Sequence, residues 1–144
     1  MKKILQLASK LETFKNTLPA LILEVIKSNE SLVIDMNVED QLFERGVDRE
    51  EKNISNREPY RPITVSIKRQ KGQPTSRVTT RDSGDFHESA FIKYGATFFE
   101  ISFSDWKYGA LVEKYGPIDG LTDENLKDLL INYIKPALIK KLRA

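Results

Sequence analysis

The chain has 144 residues, of which 40% are hydrophobic and 31% are charged, a composition typical of one globular domain. Its 23 basic and 21 acidic side chains leave a net charge of +2, which does not require a nucleic-acid partner. Cysteine is absent, which excludes disulfides, thiol catalysis, zinc fingers and iron–sulfur clusters, and the single histidine excludes multi-histidine metal sites. We therefore expect a protein that is not an enzyme and holds no cofactor and no metal.

A first helix is predicted over residues 2–16. Its apolar residues are spaced three and four apart, which places them on one face, with lysines off that face: Ile4, Leu7, Ala8, Leu11 and Phe14. The lysines at its start resemble the beginning of a secretion signal, but polar residues interrupt the apolar run at once and no cleavage site follows. No segment reaches the ~20 apolar residues of a membrane span. We expect a helix of a non-secreted protein without membrane contact.

A second helix is predicted over residues 18–45. Pro19 fits the first turn of a helix, and Gly46 fits the position just after its end. A helix of this length is unusual in so small a domain, so we expect a bend near residues 28–31. Residues 33–38 also fit a strand, but a helix is the favoured interpretation.

Residues 46–85 are predicted to be a loop-rich basic segment. Turn-forming residues are frequent in it, and residues 62–68 fit either a strand or a short helix. No acid occurs between Glu58 and Asp82, and residues 68–81 are expected to be an exposed, mobile loop. The cations of this interval are candidate interface or phosphate contacts: Arg61, Lys68, Arg69, Lys71, Arg77 and Arg81.

A β-hairpin is predicted within residues 86–104. Residues 89–94 and 97–103 are the strand candidates, around a turn at Gly95-Ala96. A lone hairpin is marginal in water, so it must pack on the helices or on another strand. Aromatic residues crowd this region, and we expect most to be core and some to remain for a subunit interface: Phe91, Phe98, Phe99, Phe103, Trp106 and Tyr108.

Residues 105–144 are predicted to be helical. A short helix over residues 106–114 is expected to be capped by the serine and aspartate before it, and Thr122 is expected to cap a longer one. Pro136 lies inside the longer helix and is expected to kink it, or to end its first half near Lys135.

These patterns together predict a single α+β domain over residues 1–144. It is expected to have long N-terminal helices, a small antiparallel β-hairpin and a C-terminal helix. The sequence contains no internal repeat and no low-complexity segment.

Residues 82–88 are the most enzyme-like stretch, because two aspartates, a serine and His87 occur in it. A metal pair, or a nucleophile with its base, needs geometry that neighbours in sequence rarely supply. The simpler interpretation is a turn in which aspartate accepts local backbone hydrogen bonds, formed by Asp82, Ser83, Gly84 and Asp85. Neither a glycine-rich phosphate loop nor a dinucleotide fingerprint occurs in the sequence.

The basic segment supports two interpretations. Its cations fit contacts to phosphates, which would make the protein a nucleic-acid-binding accessory protein using the basic loop 61–81. Aromatic residues are missing between Arg61 and Arg81, so stacking on bases is not expected. A solvated loop that meets an acidic protein surface fits the same pattern.

Several short motifs follow one another along residues 40–130. They are Gln41-Leu42-Phe43 with Gly46-Val47-Asp48, Pro59-Tyr60 with Thr64 and Lys68, Lys71-Gly72-Gln73-Pro74, the run from Val78 to His87, and Lys114-Tyr115-Gly116 with the run from Gly120 to Asn125. This order resembles small proteins encoded in the structural-gene modules of tailed bacteriophages and prophages. The family it resembles is the virion-morphogenesis or tail-completion group.

The resemblance implies a structural virion protein, a neck or tail-completion connector that joins head and tail. It implies a homo-oligomeric ring on the virion, made in the bacterial host cytoplasm, with contacts to portal, adaptor or tail-tube proteins and with DNA nearby. It carries over no catalytic residue. Subunits of such a ring meet by head-to-tail contacts, which require interaction surfaces rather than a pocket.

Overall fold

The computed structural model describes residues 2–144 and has the predicted α+β architecture. Its α-helices are α1 (Lys2–Ser28), α2 (Glu30–Asp35), α3 (Ile54–Arg57), α4 (Pro62–Gln70), α5 (Asp85–Glu88), α6 (Tyr108–Tyr115), α7 (Asp123–Leu129) and α8 (Lys135–Arg143). A first π-helix (Met36–Arg45) continues α2, and a second π-helix (Leu130–Ile134) joins α7 to α8. The two strands are β1 (Ala90–Tyr94) and β2 (Phe99–Phe103).

The predicted restart of the helix near Pro19 is wrong, because α1 is continuous on both sides of this residue. Proline lacks the N–H that would bond the carbonyl four residues earlier. The Thr17 hydroxyl donates to the carbonyl oxygens of Thr13 and Phe14, at 3.0 and 3.1 Å, which adds hydrogen bonds to the turn before Pro19. The residues just before Pro19 are largely exposed, so water is available to the released carbonyl.

The helix is interrupted near residues 28–31, where the sequence predicts a bend. Helix α1 ends at Ser28, and α2 begins at Glu30. Asn29 lies between them, and its Nδ2 donates to the carbonyl oxygen of Val25 at 2.8 Å. The strand alternative for residues 33–38 is wrong, since these residues are helical.

Gly46 ends the first π-helix, as the sequence predicts. Its φ of 61° lies in the left-handed region that favours glycine. A Cβ atom at this position would lie 2.9 Å from the Cβ of Arg77 and 3.0 Å from the carbonyl oxygen of Val78. Only glycine therefore lets residues 77–78 pass this close to the end of the helix.

The hairpin is confirmed as an antiparallel pair of β1 and β2. Its register places Ala90 opposite Phe103 and Ile92 opposite Ile101. Ile92, Ile101 and Phe103 are buried, so one face of the hairpin packs on the core. Residues 85–88, which the prediction assigned to the hairpin or the loop before it, form the short helix α5 instead.

Two further boundaries differ from the predictions. Of the two structures that the sequence left open for residues 62–68, the helix is the one that forms, and because this helix α4 extends to Gln70, residues 68–70 are not part of the predicted loop. Helix α6 begins at Tyr108 rather than at residue 106. The carboxylate of Asp105 accepts from the backbone N–H of Lys107 at 2.8 Å, which forms a turn before the helix starts.

The core lies between the second half of α1, the first π-helix, the hairpin and α7. Its buried apolar side chains include Ile26, Val33, Leu42, Ile54, Val78, Phe103, Ile118 and Leu129. Residues 2–17 lie outside this core, because all of them are exposed except the half-buried Phe14. Among residues 2–144, none of the helices combines the length and apolar content needed to cross a membrane.

Two buried carboxamides of the first π-helix, Asn37 and Gln41, hold the chain that leads into α7. Asn37 Nδ2 donates to the carbonyl oxygen of Ile118 at 2.9 Å, and its Oδ1 accepts from the N–H of Gly120 at 3.0 Å. Gln41 Nε2 donates to the carbonyl oxygen of Gly120 at 2.8 Å, and its Oε1 accepts from the N–H of Thr122 at 3.0 Å. We call this pair the carboxamide clamp. It satisfies backbone groups that lie out of reach of water.

The cap predicted at Thr122 is confirmed, since its Oγ1 accepts from the N–H of Asn125 at 3.2 Å. The Asn125 side chain donates to Gln41 Oε1 at 2.8 Å, which joins the cap to the carboxamide clamp.

The predicted end or kink at Pro136 takes another form. The second π-helix changes to α-helix between Ile134 and Lys135, so helical backbone continues through Pro136, the second residue of α8.

Replacing Gln41 by leucine should lower the free energy of unfolding by about 1–3 kcal/mol, because the buried N–H of Thr122 and the half-buried carbonyl of Gly120 would lose their partner. Gln70→Leu, at an exposed position in α4, is the matched control and should change it by less than about 0.5 kcal/mol. Urea denaturation followed by circular dichroism measures both. Equal effects of the two substitutions would contradict the role assigned to the clamp.

Candidate functional site

Lys68 is the most buried of the predicted basic contacts, with 7% of its surface exposed. Its Nζ donates to the carbonyl oxygen of Arg81 at 2.9 Å and to Gln73 Oε1 at 3.4 Å. The ammonium group lies 4.9 Å from the centroid of the Tyr60 ring, within range of a cation–π interaction. The expectation of an exposed position is wrong for Lys68, because its charge is satisfied inside the protein.

Arg77 and Arg81 both lie over the ring of Phe43, with guanidinium carbons 5.5 and 4.6 Å from its centroid. Arg77 Nε also donates to the carbonyl oxygen of Phe43 at 2.6 Å. Arg81 Nη1 lies 3.6 Å from the carboxylate of Glu39. These two arginines therefore tie the basic segment to the first π-helix.

Asp82 accepts from side chains rather than from the local backbone, which corrects the expected role of this aspartate. Its Oδ1 accepts from Lys71 Nζ at 2.9 Å and from Gln73 Nε2 at 3.2 Å. These two hydrogen bonds lower the pKa of the Asp82 carboxyl group. Within the turn, Ser83 Oγ accepts from the N–H of Asp85 at 3.3 Å, and Gly84 has a φ of 95°.

Arg61 and Arg69 are the remaining predicted cations. Within residues 2–144, neither forms a hydrogen bond through its side chain or an ion pair, and both are exposed. The basic segment thus offers fewer uncommitted cations than its sequence suggests. Nucleic-acid binding by loop 61–81 stays a prediction.

A surface pocket of about 300 Å³ lies between α4, the turn at residues 80–84 and α6. The structure brings three of the predicted cations to its wall, Lys68, Lys71 and Arg81. Asp82 lines it as well and pairs with Lys71 at 2.9 Å. Arg61, Arg69 and Arg77 do not line this pocket, so the six cations do not form one surface.

His87 is buried, and its Nε2 lies 2.9 Å from the hydroxyl of Thr80. Its partner is thus Thr80 rather than Ser83, and no nucleophile–base pair forms within residues 82–88. Burial, with a smaller effect of the nearby Arg81 charge, lowers the pKa of His87 to about 4. No group of three or more acidic or histidine side chains in residues 2–144 is arranged to hold a metal ion.

The apolar face predicted for the first helix is left uncovered at Ile4, Leu7 and Leu11, whereas Phe14 of the same face is half-buried and lines a cleft with Leu142 of α8. We call residues 2–17 of α1 the arm. Ile4, Leu7 and Leu11 of the arm are 70%, 58% and 46% exposed. Their spacing of three and four residues aligns them in one stripe along the helix. The sequence predicted this face, but periodicity does not reveal whether another part of the same chain covers it.

Trp106 is the most exposed aromatic side chain of the described residues, with 87% of its surface accessible. Phe98 at the hairpin turn is also exposed, whereas Phe103 is buried against Phe86 with ring centroids 4.2 Å apart. Only part of the predicted set of aromatic residues therefore belongs to the core. Tryptophan exposed to this degree is typical of a protein contact surface.

No family model, no curated protein and no solved structure matches this chain. The resemblance to phage tail-completion proteins accordingly stays a prediction that depends on the motifs named above.

Replacing Lys68 by methionine should lower the free energy of unfolding by about 1–3 kcal/mol, because the Arg81 carbonyl would lose a charged donor. Arg69→Met, at the exposed neighbouring position, should change it by less than about 0.5 kcal/mol. Guanidinium denaturation compares the two. If Lys68→Met left stability unchanged, Lys68 would be available for an external ligand after all.

Stability should decrease as the pH falls from about 6.5 to 4, because the unfolded chain then binds a proton that the buried imidazole of His87 does not. The contribution of His87 is roughly 3 kcal/mol between these limits. His87→Gln should flatten this part of the curve. Urea denaturation across the pH range tests it, and an unchanged slope in the variant would contradict the assignment.

Proposed function

We propose that this protein is a structural virion protein of a tailed phage or prophage, a neck or tail-completion connector subunit that joins head and tail. The observation that carries the proposal is the exposed apolar stripe of the arm, formed by Ile4, Leu7 and Leu11. The motif order in residues 40–130, which resembles that of phage tail-completion proteins, supports a virion connector as the kind of assembly. The subunit would form a ring on the virion and contact portal, adaptor or tail-tube proteins.

The motifs that carry the resemblance make contacts within the body of the protein. Gln41 belongs to the carboxamide clamp, and Tyr60 Oη accepts from the N–H of Thr79 at 3.0 Å. Lys68 and His87 are buried. These residues stabilise a compact body and leave other surfaces for partners, which suits a subunit that works by docking.

The arm supports an assembly role on energetic grounds. Isolated helices of its length are marginal in water, and most helix stability in proteins comes from packing of an apolar face. Each fully buried leucine or isoleucine side chain contributes about 1.5–3 kcal/mol. The arm leaves several such side chains in solvent in the free subunit, so a partner that covers them gains this energy on docking.

If the proposal holds, mixing the protein with the portal, adaptor and tail-tube proteins of the same phage should give complexes that light scattering and negative-stain microscopy detect. The double substitution Leu7→Lys and Leu11→Lys should weaken these complexes at least about tenfold, since it places charges on the stripe that a partner would bury. Unchanged circular dichroism would show that the body remains folded.

Ser9→Lys is the matched control, because it adds a positive charge on the opposite face of the arm. It should leave assembly intact. A protein that stays monomeric and binds none of these virion proteins would refute the connector role.

A further inference from the structure

An apolar groove of about 590 Å³ lies beside the second half of α1. One wall is α1 itself, through Leu18 and Ile22, and the opposite wall is α7 with the second π-helix, through Leu126 and Leu130. Phe98 of the hairpin turn lines the groove too. Its lining is apolar apart from a single threonine, so the groove is suited to apolar side chains rather than to a polar ligand.

The groove walls remain partly in solvent although the body is folded. Leu126, Leu130 and Phe98 are 41%, 51% and 55% exposed. The protein thus carries two unpartnered apolar features, the arm and the groove. A helix that lays alternate turns of leucine and isoleucine into an apolar groove is a recurrent mode of recognition.

The arm cannot enter the groove of its own chain. Helix α1 is continuous, and its second half forms one wall of the groove. The arm therefore runs away from the groove along the helix axis, past the end of α8, with Leu7 about 16 Å from Leu18 at 1.5 Å per residue. Only the arm of another molecule reaches this groove.

The charges of the arm and of α7 favour the same pairing of arm and groove. The arm carries four lysines and one glutamate: Lys2, Lys3, Lys10, Lys15 and Glu12. Helix α7, beside the groove, carries three acids and one lysine: Asp123, Glu124, Asp128 and Lys127. Within residues 2–144, no arm lysine forms an ion pair with the chain's own carboxylates. The basic arm and the net acidic helix α7, whose Leu126 and Leu129 line the groove, attract each other, which favours this encounter.

We infer that the groove receives the arm of a second copy of this chain, so that copies join head to tail. The inference rests on the proposed assembly function and names the contact between neighbouring subunits. The arm stripe of Ile4, Leu7 and Leu11 packs against Leu126, Leu130 and Phe98 of the neighbour. A contact between two different surfaces repeats from copy to copy and closes into a ring when the rotation permits.

Disulfide trapping tests the contact directly, because the chain has no native cysteine. Single cysteines are placed at Ile4, Leu7 or Leu11 in one sample and at Phe98, Leu126 or Leu130 in a size-tagged sample. Oxidation of the mixtures at millimolar concentration should give tagged–untagged heterodimers for the pairs that approach within disulfide distance. Ser9→Cys, on the opposite face of the arm, should give no heterodimer.

Two outcomes of the trapping experiment would overturn the inference. One is the absence of heterodimers from every mixture. The other is efficient trapping of Leu7→Cys with itself but not with the groove positions, which indicates a symmetric pairing of arms.

A second measurement separates this contact from the connector role. Leu130→Lys should weaken self-association about tenfold or more in analytical ultracentrifugation, since it charges the groove wall. The adjacent Ile131→Lys is the matched control, because Ile131 is 47% exposed and does not line the groove. If Leu130→Lys left the assembly with virion proteins and its rings unchanged, the groove contact would be refuted and the connector role would stand.

Discussion

The carboxamide clamp is the interaction on which the rest of the structure depends. Asn37 and Gln41 join the first π-helix to backbone 81 residues further along the chain, at Ile118 and Thr122. Buried backbone groups need partners, so these hydrogen bonds hold the first π-helix and the later backbone segment in place relative to each other. Because the loop it holds leads directly into α7, the clamp also sets the position of the helix that forms one wall of the apolar groove.

Local patterns in the sequence predicted much of the fold. Period-two alternation identified the hairpin, Gly46 marked the end of the first helical region, and Thr122 marked the start of α7. Each of these features depends on residues close together in the chain, or on the backbone freedom of one residue. The apolar stripe of the arm was visible for the same reason, because helical periodicity is a local property.

The remaining features depend on contacts between distant segments. The sequence of a basic segment does not reveal whether its cations are solvated or buried. Only the fold places Lys68 against the Arg81 carbonyl and Arg81 over the Phe43 ring. The burial of Asn37 and Gln41 was not predictable either, since polar residues on a helix are ordinarily exposed. The π-helical form of residues 36–45 follows no periodicity that distinguishes it from an α-helix. The exposure of the arm stripe likewise depends on the fold, because no other segment of residues 2–144 covers these side chains.

Pro19 lies where the exposed part of α1 meets the packed part. The backbone hydrogen bond that it removes is one of those that resist bending of a helix. Flexing therefore costs less at this point than elsewhere along α1, and it leaves the buried side chains undisturbed. In the proposed assembly, an arm that pivots at its base would tolerate changes in the angle between neighbours, so curvature could vary from one closed assembly to another without repacking of the core.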